Sequence, residues 1–265
     1  MNLFAGIDVG SRTTKACILK EDDILSSAII DTTFDVQAIA LKAVTMATEK
    51  SKIDLSKISY IVATGYGRVN VSFAHRHVTE ISCHALGMNY LYPEVRTILD
   101  MGGQDLKVIR CDEIGRVTKF VMNDKCAAGT GRFLERIAET FNLSLKVMSD
   151  LSLSPKNGPC EISSYCAVFA LDDALSLVRT GADLNDVVAG LFDSVTEKIL
   201  QMIQKLGLEE KFAICGGIAK NKGIVERLRK VLNLEVIVPE DPQIIGALGA
   251  AIFARRFFEE LKKGA

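Results

Sequence analysis

The 265-residue sequence lacks several features that would each point to a particular class of protein. It has no run of about 18 apolar residues, so we expect no transmembrane helix. Its formal net charge is −1, which argues against a nucleic-acid-binding surface. None of its seven cysteines lies in a Cys-x-x-Cys pair, which argues against a local zinc site or a thioredoxin-type site. The hydrophobic content of 48% is instead typical of a globular protein with a full core.

The N-terminus also lacks the features of an export signal. Residues 1–8 contain no basic segment, and Asp8 follows too early for a signal peptide. We therefore expect a cytoplasmic protein that does not bind membranes, with reduced thiols as the default state.

A strand-turn-strand pattern occurs twice in the chain. In each copy an aspartate ends an apolar run, a glycine follows two residues later, and a lysine follows seven residues after the aspartate. These residues are Asp8, Gly10 and Lys15 in the first copy, and Asp100, Gly102 and Lys107 in the second. Such a repeat predicts an α/β protein with two duplicated halves and a cleft between them. We place the halves at residues 1–95 and 96–265, and expect the last helix, at residues 245–261, to pack on the first half.

Glycine-rich turns at strand ends are suited to binding phosphate. Their backbone N–H groups can hold phosphate oxygens because glycine permits close approach. A carboxylate at the strand end can hold the water ligands of Mg²⁺. Asp8 and Asp100 are therefore candidate catalytic residues that organise Mg²⁺. Gln104 is the third candidate, because its amide can orient an attacking water.

A third glycine turn, at Gly216-Gly217, would fit against a base and a ribose. The three turns in this order resemble the actin-like, ribonuclease H-like ATPase fold of sugar kinases, actin and the heat-shock chaperones. The resemblance implies that ATP or ADP binds with Mg²⁺. The candidate nucleotide-binding residues are Gly10, Ser11, Arg12, Thr13, Lys15, Gly102, Gly103, Gln104, Gly129, Gly131, Gly216, Gly217, Ile218, Asn221 and Gln243.

Two of the cysteines, Cys126 and Cys166, lie just before or at the start of predicted helices. A helix N-terminus stabilises a thiolate and a negatively charged cluster. Four thiolates normally hold a cubane iron–sulfur cluster, so two per chain are half a set that a twofold dimer could complete. We interpret the other cysteines as buried or loop thiols without a ligand role: Cys17, Cys83, Cys111, Cys160 and Cys215.

Four segments carry a narrower resemblance, at residues 62–68, 100–105, 123–134 and 163–170. They resemble the 2-hydroxyacyl-CoA dehydratase activator family, which also includes ATPase subunits of benzoyl-CoA reductase. The resemblance covers the whole chain. It implies a homodimer that shares one [4Fe–4S] cluster, held by Cys126 and Cys166 of each subunit.

On this resemblance we expect an oxygen-sensitive ATPase coupled to electron transfer. Reduced ferredoxin or flavodoxin would supply a low-potential electron. The protein would pass it to a 2-hydroxyacyl-CoA dehydratase or a related dehydratase-like iron–sulfur protein, with ATP hydrolysis driving the conformational change.

Two alternatives remain open from the sequence. One is a small-molecule kinase of the actin-like fold, similar to pantothenate kinase, which would need a catalytic aspartate to deprotonate a substrate hydroxyl; Asp105, next to Gln104, is the candidate. The other is a nucleotide-gated sensor with little turnover.

The chain departs from the family pattern after the second cysteine motif. The family commonly continues with Glu-Ser-Glu, where this sequence has Leu171, Asp172 and Asp173. This difference leaves the identity of the partner protein and of the final substrate open.

Overall fold

The computed structural model of the protein describes residues 2–123, 126 and 128–263. Within these residues the chain forms two five-stranded sheets and eight α-helices. The mixed α/β class expected from the sequence is confirmed.

The chain divides into two compact units. The first comprises Met1–Ile98, Ile109–Lys119 and Glu240–Ala265, and the second comprises Leu99–Val108 and Phe120–Pro239. The last helix of the chain therefore belongs to the first unit.

The first sheet begins with an antiparallel meander of β1 (Leu3–Val9), β2 (Thr13–Lys20) and β3 (Asp23–Asp31). Strands β4 (Ile58–Thr64) and β5 (Arg76–His77) continue the sheet on the other side of β1, each parallel to its neighbour. The strand order is β3-β2-β1-β4-β5. Strand β1 is central and almost wholly buried, so its C-terminal residues Asp8 and Val9 are held firmly.

The second sheet repeats this order. It contains β6 (Thr97–Met101), β7 (Leu106–Cys111), β8 (Val117–Asn123), β9 (Phe212–Cys215) and β10 (Val236–Ile237). In the order β10-β9-β6-β7-β8, the first strand of the meander, β6, lies between β7 and β9. In the first sheet β1 likewise lies between β2 and β4. The repeated sequence pattern thus corresponds to a repeated sheet.

Several of the helices begin at polar capping residues that the sequence supplies. They are α1 (Val36–Lys50), α2 (Glu80–Leu91), α3 (Gly131–Thr140), α4 (Leu145–Ser152), α5 (Ala167–Arg179), α6 (Leu184–Leu206), α7 (Lys222–Leu232) and α8 (Ile245–Lys263). Asp35, Thr79, Ser144 and Asp183 each accept a hydrogen bond from a backbone N–H in the first turn of the helix that follows. Such caps satisfy N–H groups that have no partner within the helix.

Each unit has its own apolar core. In the second unit the long helix α6 lies at the centre of this core, and Val188, Leu191, Val195 and Ile199 on it are buried. In the first unit α8 contributes a row of small buried residues that pack with Phe4 of β1. Burial of apolar surface on this scale is the main stabilising contribution to such a fold.

The sequence analysis did not predict α4 or β5, which are short elements of eight and two residues. An apolar run at residues 3–9 predicts β1, and helical apolar spacing at residues 36–50 and 184–206 predicts α1 and α6, each with the bounds that the structure has. Of the helices in the described part of the chain, none combines the length and the apolar character that a bilayer crossing requires.

Candidate functional site

The first candidate turn is built by the hairpin between β1 and β2. Asp8 and Lys15 are cross-strand partners, and Lys15 Nζ lies 3.3 Å from Asp8 Oδ2. The turn itself closes through a hydrogen bond from Gly10 N to Thr13 O of 3.1 Å. Thr32 on the extended segment after β3 donates to Gly10 O at 2.8 Å. The carboxylate of Asp8 is therefore fixed at the strand end beside a cation.

The second candidate turn, between β6 and β7, repeats these contacts. Lys107 Nζ lies 3.2 Å from Asp100 Oδ2, and Gly102 N donates to Asp105 O at 3.0 Å. Lys107 also pairs with Asp105 Oδ2 at 2.7 Å and is only 3% exposed. The sequence repeat therefore encodes the same ion pair and the same turn in each unit.

A glycine follows the next strand of each sheet and contacts the aspartate. Gly65 after β4 and Gly216 after β9 have φ values of +84° and +86°, which favour glycine. A Cβ on Gly65 would contact Asp8 Oδ1, and a Cβ on Gly216 would lie 2.9 Å from Asp100 Oδ1. The sequence analysis named Gly216 but missed Gly65, although both directly follow a buried strand.

The remaining predicted nucleotide residues have varied environments. Gln104 in the second turn and Ser11 and Arg12 in the first are exposed, while Thr13 and Gln243 are partly buried. Gly217 and Ile218 lie in a short 3₁₀ turn after β9.

Two further candidate nucleotide-binding residues, Asn221 and Gly131, already make hydrogen bonds within the protein. Asn221 is nearly buried, and its Oδ1 accepts from Ile224 N at 3.2 Å to cap α7. Gly131 N donates to Gly102 O at 3.0 Å.

The start of α3 is joined directly to the second turn. Besides the bond from Gly131, Arg132 N donates to Gly103 O at 2.8 Å. The segment that carries Cys126 lies immediately before α3. The C-terminal end of this segment is therefore attached to the turn that is predicted to bind phosphate.

The N-terminal end of the Cys126 segment is held by Asn123, the last residue of β8. Its Nδ2 donates to Cys126 O at 3.0 Å and to Ala128 O at 3.2 Å. Cys126 is partly buried. Three other residues of this motif, Asp124, Lys125 and Ala127, lie outside the described residues.

Cys166 occupies the N-cap position of α5 and is partly exposed. Hydrogen bonds from the backbone N–H of Phe169 and, to a smaller extent, from that of Val168 hold the pKa of the Cys166 thiol below its usual value. The helix-start environment expected from the sequence therefore favours a thiolate at this position.

The two cysteine segments meet within the second unit. A narrow crevice is lined by Ala128 and Gly129 from the first segment and by Ser163, Ser164 and Cys166 from the second. Three large apolar side chains next to Cys166 are strongly exposed: Tyr165 by 87%, Val168 by 71% and Phe169 by 63%. Clustered apolar exposure of this kind is typical of a surface that another chain covers.

The other cysteines differ from this pair. Cys17, Cys83, Cys111 and Cys215 are buried. Burial raises the pKa of the Cys17 thiol to about 12 and also raises that of Cys83. Cys160 is partly buried, and burial likewise raises the pKa of its thiol. A raised pKa keeps the thiols of Cys17, Cys83 and Cys160 protonated, the form that binds metal poorly.

Comparison with known proteins shows the family to which the chain is similar. Residues 5–254 match the model of the BadF/BadG/BcrA/BcrD ATPase family. The chain is 40% identical over 261 residues to the 2-hydroxyisocaproyl-CoA dehydratase activator of Clostridioides difficile, covering 97% of this chain and 96% of the relative. It is 43% identical over 250 residues to the activator of lactoyl-CoA dehydratase of Anaerotignum propionicum, covering 94% and 96%.

Solved structures agree. The activator of the 2-hydroxyisocaproyl-CoA dehydratase from Clostridium difficile with bound ADPNP has a TM-score of 0.91 at 38% identity, over 99% of this chain and 98% of that one. A ROK family glucokinase from Streptomyces griseus has a TM-score of 0.56 at 13% identity, over 96% of this chain and 100% of that one, which shows the fold alone. The protein is an ATPase of the actin-like fold. It belongs to the BadF/BadG/BcrA/BcrD ATPase family.

The contact between Gly216 and Asp100 generates a stability prediction. Replacing Gly216 by alanine should lower the free energy of unfolding by more than about 1–3 kcal/mol, the cost of backbone strain at a positive φ, because the new Cβ also contacts the backbone carbonyl of Met101 and lies 2.9 Å from Asp100 Oδ1. Gly181→Ala is the matched control, since Gly181 has a φ of +93° with nothing within 4 Å of an added Cβ. Urea unfolding of both variants measures the difference. Equal losses would show that Gly216 is not needed for room beside the carboxylate.

Proposed function

We propose that this protein is an ATP-dependent activator that delivers a low-potential electron to an iron–sulfur acceptor protein. The acceptor is a 2-hydroxyacyl-CoA dehydratase or a related dehydratase-like protein. The observation that carries the proposal is the crevice in which Cys166, at the start of α5, meets the segment that follows Cys126. Relatives with the same fold and family are named as dehydratase activators.

In this proposal the two repeated turns bind ATP, which the protein hydrolyses. Backbone groups of residues 10–13 and 102–103 bind its phosphates, and Asp8 and Asp100 organise Mg²⁺ through water. Gly216, Gly217, Ile218 and Asn221 lie on the nucleoside side, together with Gln243. The burial of both aspartates beside a lysine supports the assignment, because it fixes each carboxylate at a strand end. The related structure with bound ADPNP supports nucleotide binding.

The cysteine pair fits half of a [4Fe–4S] site. Both thiols are partly exposed, and two backbone N–H groups favour the thiolate of Cys166. Such a cluster supplies a one-electron carrier when it is bound. We propose that two subunits contribute Cys126 and Cys166 each, in a homodimer that covers Tyr165, Val168 and Phe169. Reduced ferredoxin or flavodoxin is the proposed electron donor.

The connection of α3 to the second turn gives ATP a way to act on the cysteines. Gly102 O and Gly103 O accept the first N–H groups of α3, and Asn123 holds the other end of the Cys126 segment. A shift of the turn on ATP binding or hydrolysis therefore displaces the segment that carries Cys126. A nucleotide changes a conformational equilibrium only through its different affinity for the two states.

The kinase alternative is not favoured. The resemblance to a glucokinase rests on the fold at 13% identity. Asp105, the carboxylate considered as a catalytic base, lies 2.7 Å from Lys107 Nζ. A carboxylate engaged in this way is poorly suited to accept a proton from a substrate hydroxyl.

The cluster assignment predicts the effect of replacing the cysteines. Cys126→Ser and Cys166→Ser should each remove the brown colour of anaerobically purified protein, because each deletes two of the four ligands in the dimer. The wild-type dimer should contain about four irons, the content of one cubane cluster. Iron analysis and absorption spectra provide the measurement.

Cys17→Ser is the control for this series, since Cys17 is buried in the core of the first unit. It should keep the iron content of the wild type. Four irons per monomer, or full iron content in the Cys166→Ser protein, would contradict a shared cluster.

The role of Gln104 predicts a selective loss of hydrolysis. Gln104→Ala should still bind ATP but hydrolyse it about 100-fold more slowly, the size of effect expected when a reactant loses its positioning. Gln201→Ala, which removes an exposed glutamine from α6, should hydrolyse at the normal rate. Phosphate release and nucleotide titration separate the two steps. Normal hydrolysis by Gln104→Ala would contradict the proposal that Gln104 orients the attacking water.

A further inference from the structure

The segment before α5 carries Cys166 and contains no helix or strand from residue 153 to residue 166. Its middle is anchored to the core of the second unit. Cys160 N donates to Asp186 O at 2.9 Å, and Ile162 is 9% exposed within the apolar core. Beyond Ile162 the chain leaves the core, and Tyr165 is 87% exposed. Residues 163–166 therefore need contacts of another kind to have a defined position.

Those contacts come from α5 itself. Ser163 N donates to Asp173 Oδ2 at 3.1 Å, a bond that spans ten residues. At the other end of this stretch, Cys166 O accepts from Ala170 N at 2.9 Å. Residues 163–166 are thus bonded at both ends to the same helix. The bond to Asp173 is charge-assisted, and such bonds are stronger than those between neutral groups.

The neighbours of Asp173 face different surroundings. Leu171 packs against the apolar core, and Asp172 is exposed. Asp173 is the one of the three whose side chain accepts a hydrogen bond from the segment that carries Cys166.

We propose that Asp173 is a positioning residue for Cys166. It fastens residues 163–166 to α5, so that the thiol and the helix move as one rigid piece. A movement of α5 then reaches Cys166 in full, and is not absorbed by a loose loop. The value of this arrangement for electron transfer rests on the proposed function, but the fastening itself does not require a cluster.

The direct test is hydrogen exchange in the cluster-free protein. In Asp173→Ala, the peptide that contains residues 163–166 should exchange about 10-fold faster or more, the effect expected from losing a hydrogen bond to a charged group. The rate at which a thiol reagent modifies Cys166 should change as well. Asp172→Ala removes the same charge from the neighbouring exposed position and should leave both rates unchanged.

A second variant guards against a general loss of structure. Asp173→Asn keeps an oxygen acceptor of the same size without the charge, so its exchange should lie between those of the wild type and Asp173→Ala. Thermal melting and ADP binding show that each variant is folded. Wild-type exchange in both Asp173 variants, or equal acceleration by Asp172→Ala, would overturn the proposal.

Cluster retention separates this inference from the proposed function. If the wild type holds a cluster, a chelator should remove iron faster from Asp173→Ala than from Asp172→Ala, and equal rates would count against the positioning role. A wild-type protein that never holds iron would refute the proposed function. The exchange of residues 163–166 would still decide whether Asp173 fastens the segment.

Discussion

Two backbone hydrogen bonds between the turn after β6 and the first residues of α3 are the constraint on which the proposed mechanism depends. They run from Gly131 N to Gly102 O and from Arg132 N to Gly103 O, at 3.0 and 2.8 Å. Because α3 follows the Cys126 segment directly, these bonds attach a candidate cluster ligand to a candidate phosphate-binding turn. Asn123 closes the segment at its other end. The coupling therefore needs no long chain of packed side chains.

The second cysteine is held by a different device. Cys166 caps α5, and Asp173 ties the preceding residues back to that helix. One candidate ligand is thus connected to the candidate phosphate-binding turn, and the other to a helix that packs beside the central helix α6. A cluster shared by two such pairs would respond to changes in either element. Cys166 lies at the N-cap of α5, where backbone N–H groups favour its thiolate, whereas Cys126 lies before Thr130, the N-cap residue of α3.

The sequence predicted the repeated turns because their chemistry is local. A lysine seven residues after the aspartate becomes its cross-strand partner when the two strands form a short hairpin, as Asp8 and Lys15 do. The role of Asp173 could not be predicted in this way, since it depends on where the segment before α5 lies. Gly65 follows a buried strand as Gly216 does, but its contact with Asp8 depends on the pairing of β4 with β1. Short elements such as β5 were also not predicted, because a two-residue strand has no periodicity of its own.

We propose that nucleotide at the turns changes the surroundings of a cluster held by the two cysteines. The most direct measurement is the electron paramagnetic resonance spectrum of the reduced protein with ADP and with a non-hydrolysable ATP analogue. We expect two different spectra, and we expect Gln104→Ala with ATP to give the spectrum of the analogue. Identical spectra in both nucleotide states, with nucleotide binding verified, would contradict it.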